Sequence, residues 1–179
     1  MRSFIRLIIV CAVCLSLGAP AIAAEMPKVG SRAPAFTLQD QSEHAVSLKM
    51  FRGKWVVLYF YPQDTSPGCS LQAHNFQRDM LRYTEKNASV VGISVDSPAA
   101  HRKFCADEEL TLTLLSDQKN TVMDLYGSLM KEGPIKLANR NTFIIDPKGV
   151  IRKIYTNVKP VRHSAEVLSD LEKLQSQSQ

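Results

Sequence analysis

An unbroken run of seven apolar or aromatic residues, at positions 55–61, constrains the fold more than any other segment of the chain. The run is rich in β-forming residues and is short for a helix. It therefore predicts a β-strand that is buried on both faces. A strand of this kind lies at the centre of a sheet that has helices packed against it.

Strand and helix patterns alternate along the rest of the chain. Further strands are predicted at 89–94, 111–115, 142–145 and 150–155, with a short hairpin at 35–38 and 45–48. Helices are predicted from Cys69 onward, at 97–109, at 121–126 and at 164–174. This order predicts one α/β domain with a central mixed sheet flanked by helices, and no repeat or linker divides it.

The first 23 residues have the pattern of a secretory signal. Arg2 and Arg6 precede eleven mostly apolar residues at 7–17, and Ala21 and Ala23 supply the small residues of a cleavage site. Eleven residues are too few to cross a bilayer of about 30 Å as a helix. We therefore expect cleavage after Ala23, with an uncleaved anchor as the alternative.

Cleavage would leave residues 24–179 as the mature domain, exported to a compartment such as the bacterial periplasm. Of the four cysteines, only Cys69 and Cys105 would remain in it. The net charge of +5 would fall to about +3, and no basic run concentrates it, so nucleic acid is not an expected partner. We expect no stable membrane association after cleavage.

Cys69 is the residue whose position most suggests chemistry. Ser66 suits a helix N-cap, which places Pro67 at the first helical position and Cys69 in the first turn. The free N–H groups and the dipole of a helix N-terminus favour an anion such as a thiolate. Gly68 leaves room for a group to approach the backbone. The same spacing also fits an inert buried cysteine at a helix start, and the pattern alone does not separate the two.

The residues around Cys69 resemble a known family. The pattern Pro62-x-x-x-Ser66-x-x-Cys69 is similar to the peroxiredoxin signature, and YFYPQDTSPGCSLQAHNF resembles the bacterioferritin comigratory protein, or peroxiredoxin Q, subgroup. VGSRAPAFTLQDQ, ISVDSP and LLSD resemble three further segments of that family. The segment that begins at Arg140, RNTFIID, resembles the one that carries its active-site arginine.

The resemblance implies a thioredoxin-like fold and a thiol peroxidase that needs no cofactor or metal. By position, Cys69 would be the peroxidatic nucleophile, Arg140 would hold the thiolate and the peroxide oxygens, Ser66 would contribute its hydroxyl, and Pro62 would shield the pocket from water. Without the resemblance, Arg140 is better interpreted as a surface arginine beside a strand. The implied partners are a hydroperoxide substrate and a thioredoxin-like or other dithiol reductant, and the protein is expected to be a monomer.

The chain departs from the subgroup at position 74. Many relatives carry a resolving cysteine five residues after the peroxidatic one, where this chain has His74. Some members of the subgroup carry it in a later helix, and Cys105 lies at such a place, 36 residues after Cys69. The resemblance therefore implies a Cys69–Cys105 disulfide formed from a Cys69 sulfenic acid. The alternatives are an inert Cys105 in a one-Cys peroxidase and a permanent structural disulfide.

Two other functions compete with the peroxidase. A thioredoxin-like disulfide exchanger is disfavoured because Ser66 stands where a Cys-x-x-Cys motif needs its first thiol. A secreted binding module would use the two cysteines only as a staple. His101 and Cys105 are one helical turn apart and could share a metal, but a solvated histidine is the preferred interpretation.

Overall fold

The computed structural model describes residues 25–130 and 136–177. The signal predicted at residues 1–23 lies outside this part of the chain. Within it, no helix combines the length and the apolar character needed to cross a bilayer.

In the described residues, seven strands form one mixed sheet, and five α-helices and one short 3₁₀ helix (Leu48–Phe51) accompany it. The strands are β1 (Thr37–Asp40), β2 (Ala45–Ser47), β3 (Trp55–Phe60), β4 (Ala88–Ser94), β5 (Thr113–Ser116), β6 (Thr142–Ile145) and β7 (Ile151–Tyr155). Their order across the sheet is β2-β1-β5-β4-β3-β6-β7. The pairs β3–β4 and β4–β5 are parallel, and the other neighbours are antiparallel. The predicted hairpin is confirmed as β1 and β2.

The helices are α1 (Pro67–Arg78), α2 (Met80–Glu85), α3 (Pro98–Asp107), α4 (Thr121–Leu125) and α5 (Pro160–Ser176). The pattern that begins at Cys69 forms two helices, because the chain leaves helical geometry at Asp79. Its apolar stripe nevertheless continues, since Tyr83 of α2 lies in the same core cluster as Cys69. The closing helix begins earlier than predicted, with Pro160 in its first turn.

Strand β3 is buried along its whole length, as its apolar run predicts. Val57 and Tyr59 contribute to the core cluster that includes residues of α1 and α5. Leu58 and Phe60 contribute to a second cluster, which includes residues of α4. The loop that leaves β3 is therefore anchored between two packed layers, and it carries the start of α1.

His163, on α5, is a buried histidine that the sequence did not single out. It is 1% exposed, and its Nε2 lies 2.9 Å from the Thr142 hydroxyl oxygen. Burial disfavours the charged imidazolium and lowers the pKa of His163 from 6.5 to about 4. The folded protein therefore holds this histidine neutral under conditions in which the unfolded chain protonates it.

We expect His163 to make the protein less stable as pH falls from 6.5 toward 4, since the unfolded state binds the extra proton. The loss attributable to this group is on the order of 3 kcal/mol. Urea unfolding of wild type and His163→Gln across this range should show that the free energy of unfolding falls less steeply with decreasing pH in the variant. The matched control is His44→Asn, at an exposed histidine. Its free energy of unfolding should depend on pH as it does in wild type. Equal slopes in wild type and His163→Gln would contradict the assignment.

Candidate active site

Cys69 lies in the first turn of α1, as the capping pattern predicts. Ser66 is the N-cap residue with an extended backbone, and a proline follows at the start of the helix. The Cys69 side chain is only 2% exposed. Its Sγ accepts hydrogen bonds from Ser66 Oγ at 2.7 Å and from Arg140 Nη2 at 3.1 Å. Two donors therefore converge on one buried sulfur, an arrangement that stabilises a thiolate.

Arg140 reaches this sulfur from the segment immediately before β6. Its Nη1 donates to Gln72 Oε1 at 2.9 Å while its Nη2 donates to Cys69. A Cβ on Gly68 would lie 3.1 Å from Arg140 Nη2, so the group that approaches the backbone at Gly68 is the guanidinium. The interpretation of Arg140 as a surface residue is wrong, because its guanidinium bonds both Cys69 and Gln72.

Gln72 is a site residue that the sequence analysis missed. It lies one turn after Cys69 and is 1% exposed. Its position on the buried face of α1 is the signal that could have found it, since a buried polar side chain needs a partner. It holds one side of the Arg140 guanidinium and thereby orients the other side toward Cys69.

The Ser66 hydroxyl bonds the Cys69 sulfur and does not cap the helix. No side-chain capping bond is formed at this N-cap. The hydroxyl donates to Cys69 Sγ instead. Of the two uses expected for this side chain, the contact with Cys69 is therefore the one present. Pro62 is half-buried at the start of the loop, and its expected role in excluding water stays a prediction.

We expect Ser66→Ala to slow peroxide consumption about 10- to 100-fold, because a hydrogen bond to a charged group contributes about 1.5–3 kcal/mol. Initial rates with hydrogen peroxide would measure the effect. Ser66→Thr is the matched control, since it retains the hydroxyl and should stay close to wild type. A wild-type rate in Ser66→Ala would contradict a role for the hydroxyl.

Asp64 anchors the loop between β3 and α1, and the sequence analysis did not single it out. Its carboxylate accepts a hydrogen bond from Tyr61 Oη at 2.8 Å, and its backbone N–H donates to Asp96 Oδ2 at 2.8 Å. The next residue, Thr65, has a φ of 58°, which is rare for a β-branched side chain. Such strain costs about 1–3 kcal/mol and persists only where neighbours enforce it. The anchor at Asp64 therefore fixes the loop that carries Ser66, whose backbone N–H donates to the Asp64 carbonyl at 2.8 Å.

Cys105 lies in the last turn of α3 and is 9% exposed. It belongs to the same core cluster as Cys69, and both are free thiols in this structure. Burial, with a smaller contribution from the negative charge of Asp64, raises the pKa of the Cys105 thiol from 9 to about 11. Cys105 is therefore an uncharged thiol at neutral pH.

His101, on α3, contradicts the expectation from the sequence. A solvated histidine was expected, but the residue is fully buried. Its Nδ1 lies 2.9 Å from Asp64 Oδ2, and Asp64, Asp96 and His101 each bring one polar atom within 4.8 Å of the others. The sequence analysis paired His101 only with Cys105, whereas the polar partner that the structure gives its Nδ1 is the carboxylate of Asp64.

His74 lies on the exposed side of α1, at the position of the local resolving cysteine in relatives. Its Nε2 lies 2.6 Å from Glu108 Oε2, and Ser70 Oγ donates to Glu108 Oε1 at 3.0 Å. The hydrogen bond to His74, followed by the one to Ser70, keeps the pKa of Glu108 below its usual value. Glu108 thus ties the end of α3 to α1, another contact that the sequence analysis did not anticipate.

Comparison with known families identifies the class of protein to which this thiol site belongs. The model of the AhpC/TSA family matches residues 29–154, which include Cys69, Cys105 and Arg140. The chain belongs to this family. Since the match spans most of the domain, the family assignment covers the sheet and both cysteine-bearing helices.

Curated AhpC/TSA relatives are named as peroxiredoxins. The chain is 42% identical over 153 residues to chloroplastic peroxiredoxin Q of Triticum aestivum, covering 81% of this chain and 67% of the relative. It is 41% identical over 151 residues to the putative peroxiredoxin bcp of Helicobacter pylori, covering 82% of this chain and 99% of the relative. The resemblance to the bacterioferritin comigratory protein and peroxiredoxin Q subgroup is confirmed.

Solved structures of the family share the fold. Peroxidoxin BcpB of Mycobacterium tuberculosis has a TM-score of 0.77 at 29% identity, covering 83% of this chain and 98% of its own. PrxQ of Xylella fastidiosa has a TM-score of 0.78 at 28% identity, covering 87% and 99%. The predicted thioredoxin-like peroxiredoxin fold is confirmed.

As an AhpC/TSA protein of the peroxiredoxin Q and bcp type, the chain is a thiol peroxidase. Thiol-dependent reduction of peroxides is its chemistry, and the match favours this activity over the thioredoxin-like exchanger and the binding module. The individual roles of Cys69, Cys105, Arg140, Ser66 and Pro62 stay predictions, as does export, since the plant relatives are named as chloroplast proteins.

Proposed function

We propose that this chain reduces hydrogen peroxide or organic hydroperoxides through a Cys69 sulfenic acid, which Cys105 resolves as an intramolecular disulfide. The observation that supports it most directly is the convergence of Ser66 Oγ and Arg140 Nη2 on the buried Cys69 sulfur. A hydroxyl and a fixed positive charge at a nucleophilic sulfur also suit the negative charge that spreads over a peroxide during attack.

The first step forms a sulfur–oxygen bond at Cys69. The thiolate attacks the terminal peroxide oxygen, the O–O bond breaks, and the leaving oxygen takes a proton to become water or an alcohol. Sulfur is oxidised to a sulfenic acid and the peroxide is reduced. Arg140, held by Gln72, supplies charge along this path without a change of protonation.

The second step joins the two cysteines. The Cys105 sulfur attacks the Cys69 sulfenic acid, a disulfide forms, and the hydroxyl leaves as water with the thiol proton. Both thiols lie in one core cluster, which supports this pairing. The bridge requires α-carbons within about 7 Å, so helix ends that lie farther apart must move to form it.

Hydrogen bonds between α1 and the end of α3 oppose that movement. Glu108 bonds Ser70 and His74, and Gln77 Oε1 accepts from the Thr111 backbone N–H at 2.8 Å. These contacts are exposed or half-buried, so each contributes little on its own. We propose that they yield when the sulfenic acid forms, allowing the last turn of α3 to unwind.

A thioredoxin-like dithiol is the proposed reductant of the resulting disulfide, by thiol–disulfide exchange. We also propose that the protein is exported after cleavage following Ala23, so that this dithiol acts in the periplasm, and that it works as a monomer. Mass analysis of the protein recovered from the periplasm would test export, with a mature chain that begins at Ala24 expected. A full-length chain in the cytoplasmic fraction would contradict it.

One peroxide titration tests the reaction sequence. The fully reduced mature protein receives one equivalent of hydrogen peroxide, peroxide loss is followed, and the cysteines are mapped by mass. Wild type should lose one equivalent and gain a Cys69–Cys105 bond. Cys105→Ser should also consume one equivalent but stop at the sulfenic acid or a higher oxide, and it should turn over poorly with a dithiol.

The other mechanisms predict different results in the same experiment. Full turnover by Cys105→Ser with a dithiol indicates a one-Cys peroxidase. A Cys69–Cys105 bond that resists mild reductant, in protein that consumes no peroxide until denatured, indicates a structural disulfide. Absence of peroxide loss after full reduction contradicts the proposal as a whole.

A further inference from the structure

A buried polar cluster joins the active-site loop to α3, the helix that carries Cys105. At its centre His101 Nδ1 lies 2.9 Å from Asp64 Oδ2, while Tyr61 Oη donates to the other Asp64 oxygen. The side chains of His101 and Asp64 are 0% and 4% exposed. A carboxylate can only accept, so Asp64 fixes the imidazole proton on Nδ1.

In the neutral tautomer that this contact favours, the other ring nitrogen of His101 carries the free lone pair. Nε2 is buried and has no hydrogen-bond partner among the residues that the structure describes. Buried polar atoms are almost always paired, so an orphan of this kind calls for an explanation. A histidine oriented by a carboxylate, with its second nitrogen free, is the arrangement of a general base.

The buried thiol next to this base is that of Cys105. His101 and Cys105 are four residues apart on α3, which places their Cβ atoms about 6 Å apart on one face of the helix. The Tyr59 hydroxyl is also buried and unpaired in the described part of the chain. Burial raises the pKa of Tyr59, and negative charge at Cys105, Asp64 and Cys69 raises it further. The phenol therefore lies within electrostatic reach of both sulfurs and of Asp64.

Resolution needs a base at this place. With a pKa of about 11, the Cys105 thiol is ionised in about one molecule in 10,000 at pH 7. Only the thiolate is an efficient nucleophile toward the Cys69 sulfenic acid. The titratable groups around the thiol and the imidazole come from the loop, the end of β4, β3 and α1; they are Asp64, Asp96, Tyr59, Tyr61 and Cys69. None of these groups carries a positive charge, and the Arg140 guanidinium is already engaged with Cys69 Sγ and Gln72.

We propose that His101, oriented by Asp64, accepts the proton of the Cys105 thiol when Cys105 attacks the Cys69 sulfenic acid. The thiol proton moves to His101 Nε2, the sulfur–sulfur bond forms as the sulfur–oxygen bond breaks, and the imidazolium returns the proton to the departing hydroxide as water. No hydrogen bond joins Nε2 to the thiol in the reduced form, so the contact forms as the last turn of α3 moves. This inference rests on the proposed resolution by Cys105.

The test measures the rate of Cys69–Cys105 bond formation after a peroxide pulse, by rapid quenching and mass analysis, from pH 6 to pH 10. His101→Asn retains an amide donor for Asp64 but has no basic nitrogen. It should resolve about 100-fold more slowly at pH 7, and its rate should rise about tenfold per pH unit as hydroxide replaces the base. The wild-type rate should change much less above pH 7. His44→Asn, at an exposed histidine, should match wild type.

A second readout separates proton transfer from a merely structural role. Oxidation of Cys69 should proceed at the same rate in Cys105→Ser and in Cys105→Ser/His101→Asn. Equal slowing of oxidation and resolution, or parallel pH profiles in wild type and His101→Asn, would overturn the inference.

Wild type provides a test that does not depend on the variant's folding. A wild-type resolution rate that rises tenfold per unit up to pH 10 would show that no base assists Cys105. A wild type that forms no Cys69–Cys105 bond at all would instead refute the proposed resolution itself.

Discussion

Cys69→Ser should abolish peroxide reduction, with a rate loss on the order of 10,000-fold or more. A serine hydroxyl is not ionised at neutral pH, and neither Ser66 nor Arg140 can make it a nucleophile comparable to a thiolate. Stopped-flow consumption of hydrogen peroxide by the fully reduced protein would measure the loss.

Cys105→Ser is the matched control for this variant, since it removes the other thiol of the same core cluster. It should still consume one equivalent of peroxide at close to the wild-type rate of the first step. Peroxide loss that survives Cys69→Ser but disappears in Cys105→Ser would show that Cys105, and not Cys69, is the peroxidatic cysteine.

Arg140→Gln should slow the oxidation of Cys69 by about 100- to 1,000-fold, the usual consequence of removing one transition-state donor. The variant loses both the positive charge and the bond from Nη2 to the sulfur. Arg140→Lys keeps the charge but cannot bond Gln72 and Cys69 with one planar fork, so an intermediate loss of about tenfold is expected. Second-order rate constants of the three proteins would establish the order.

Arg152→Gln serves as the control, because Arg152 is an exposed residue that faces Asp146. It should leave the rate unchanged. If Arg140→Gln were as active as wild type, the contact with Cys69 would be structural, and the negative charge of the transition state would need another donor.

Local patterns predicted the elements that carry the site. The apolar run at 55–61 predicted β3, and the order Ser66, Pro67, Cys69 predicted where α1 begins and where the thiol lies in it. These features depend on side-chain volume, capping and proline geometry within a few residues, and neighbouring residues are sufficient to specify them. The resemblance supplied the role of Arg140, which no local pattern supported.

Buried polar partners were the part that local patterns could not predict. His101 was interpreted as solvated, yet it is fully buried because Asp64, 37 residues earlier, supplies the partner that burial requires. Gln72 was overlooked for the same reason, since its partner Arg140 is 68 residues away. Periodicity shows which face of a helix is apolar, but it cannot show which distant charge will meet a polar residue on that face.

The sequence by itself determined a central strand and a thiol at a helix N-terminus. It also left Cys69 and Cys105 as a pair, because the predicted signal would remove the other two cysteines and His74 stands at the position of the local resolving cysteine. The tertiary structure alone decided what surrounds each thiol. Arg140 and Ser66 contact the Cys69 sulfur, while Asp64 pairs with His101 on the helix that carries Cys105. The physical reason is that short-range sterics and capping act between neighbours in the chain, whereas the environment of a buried sulfur is built from segments that only folding brings together.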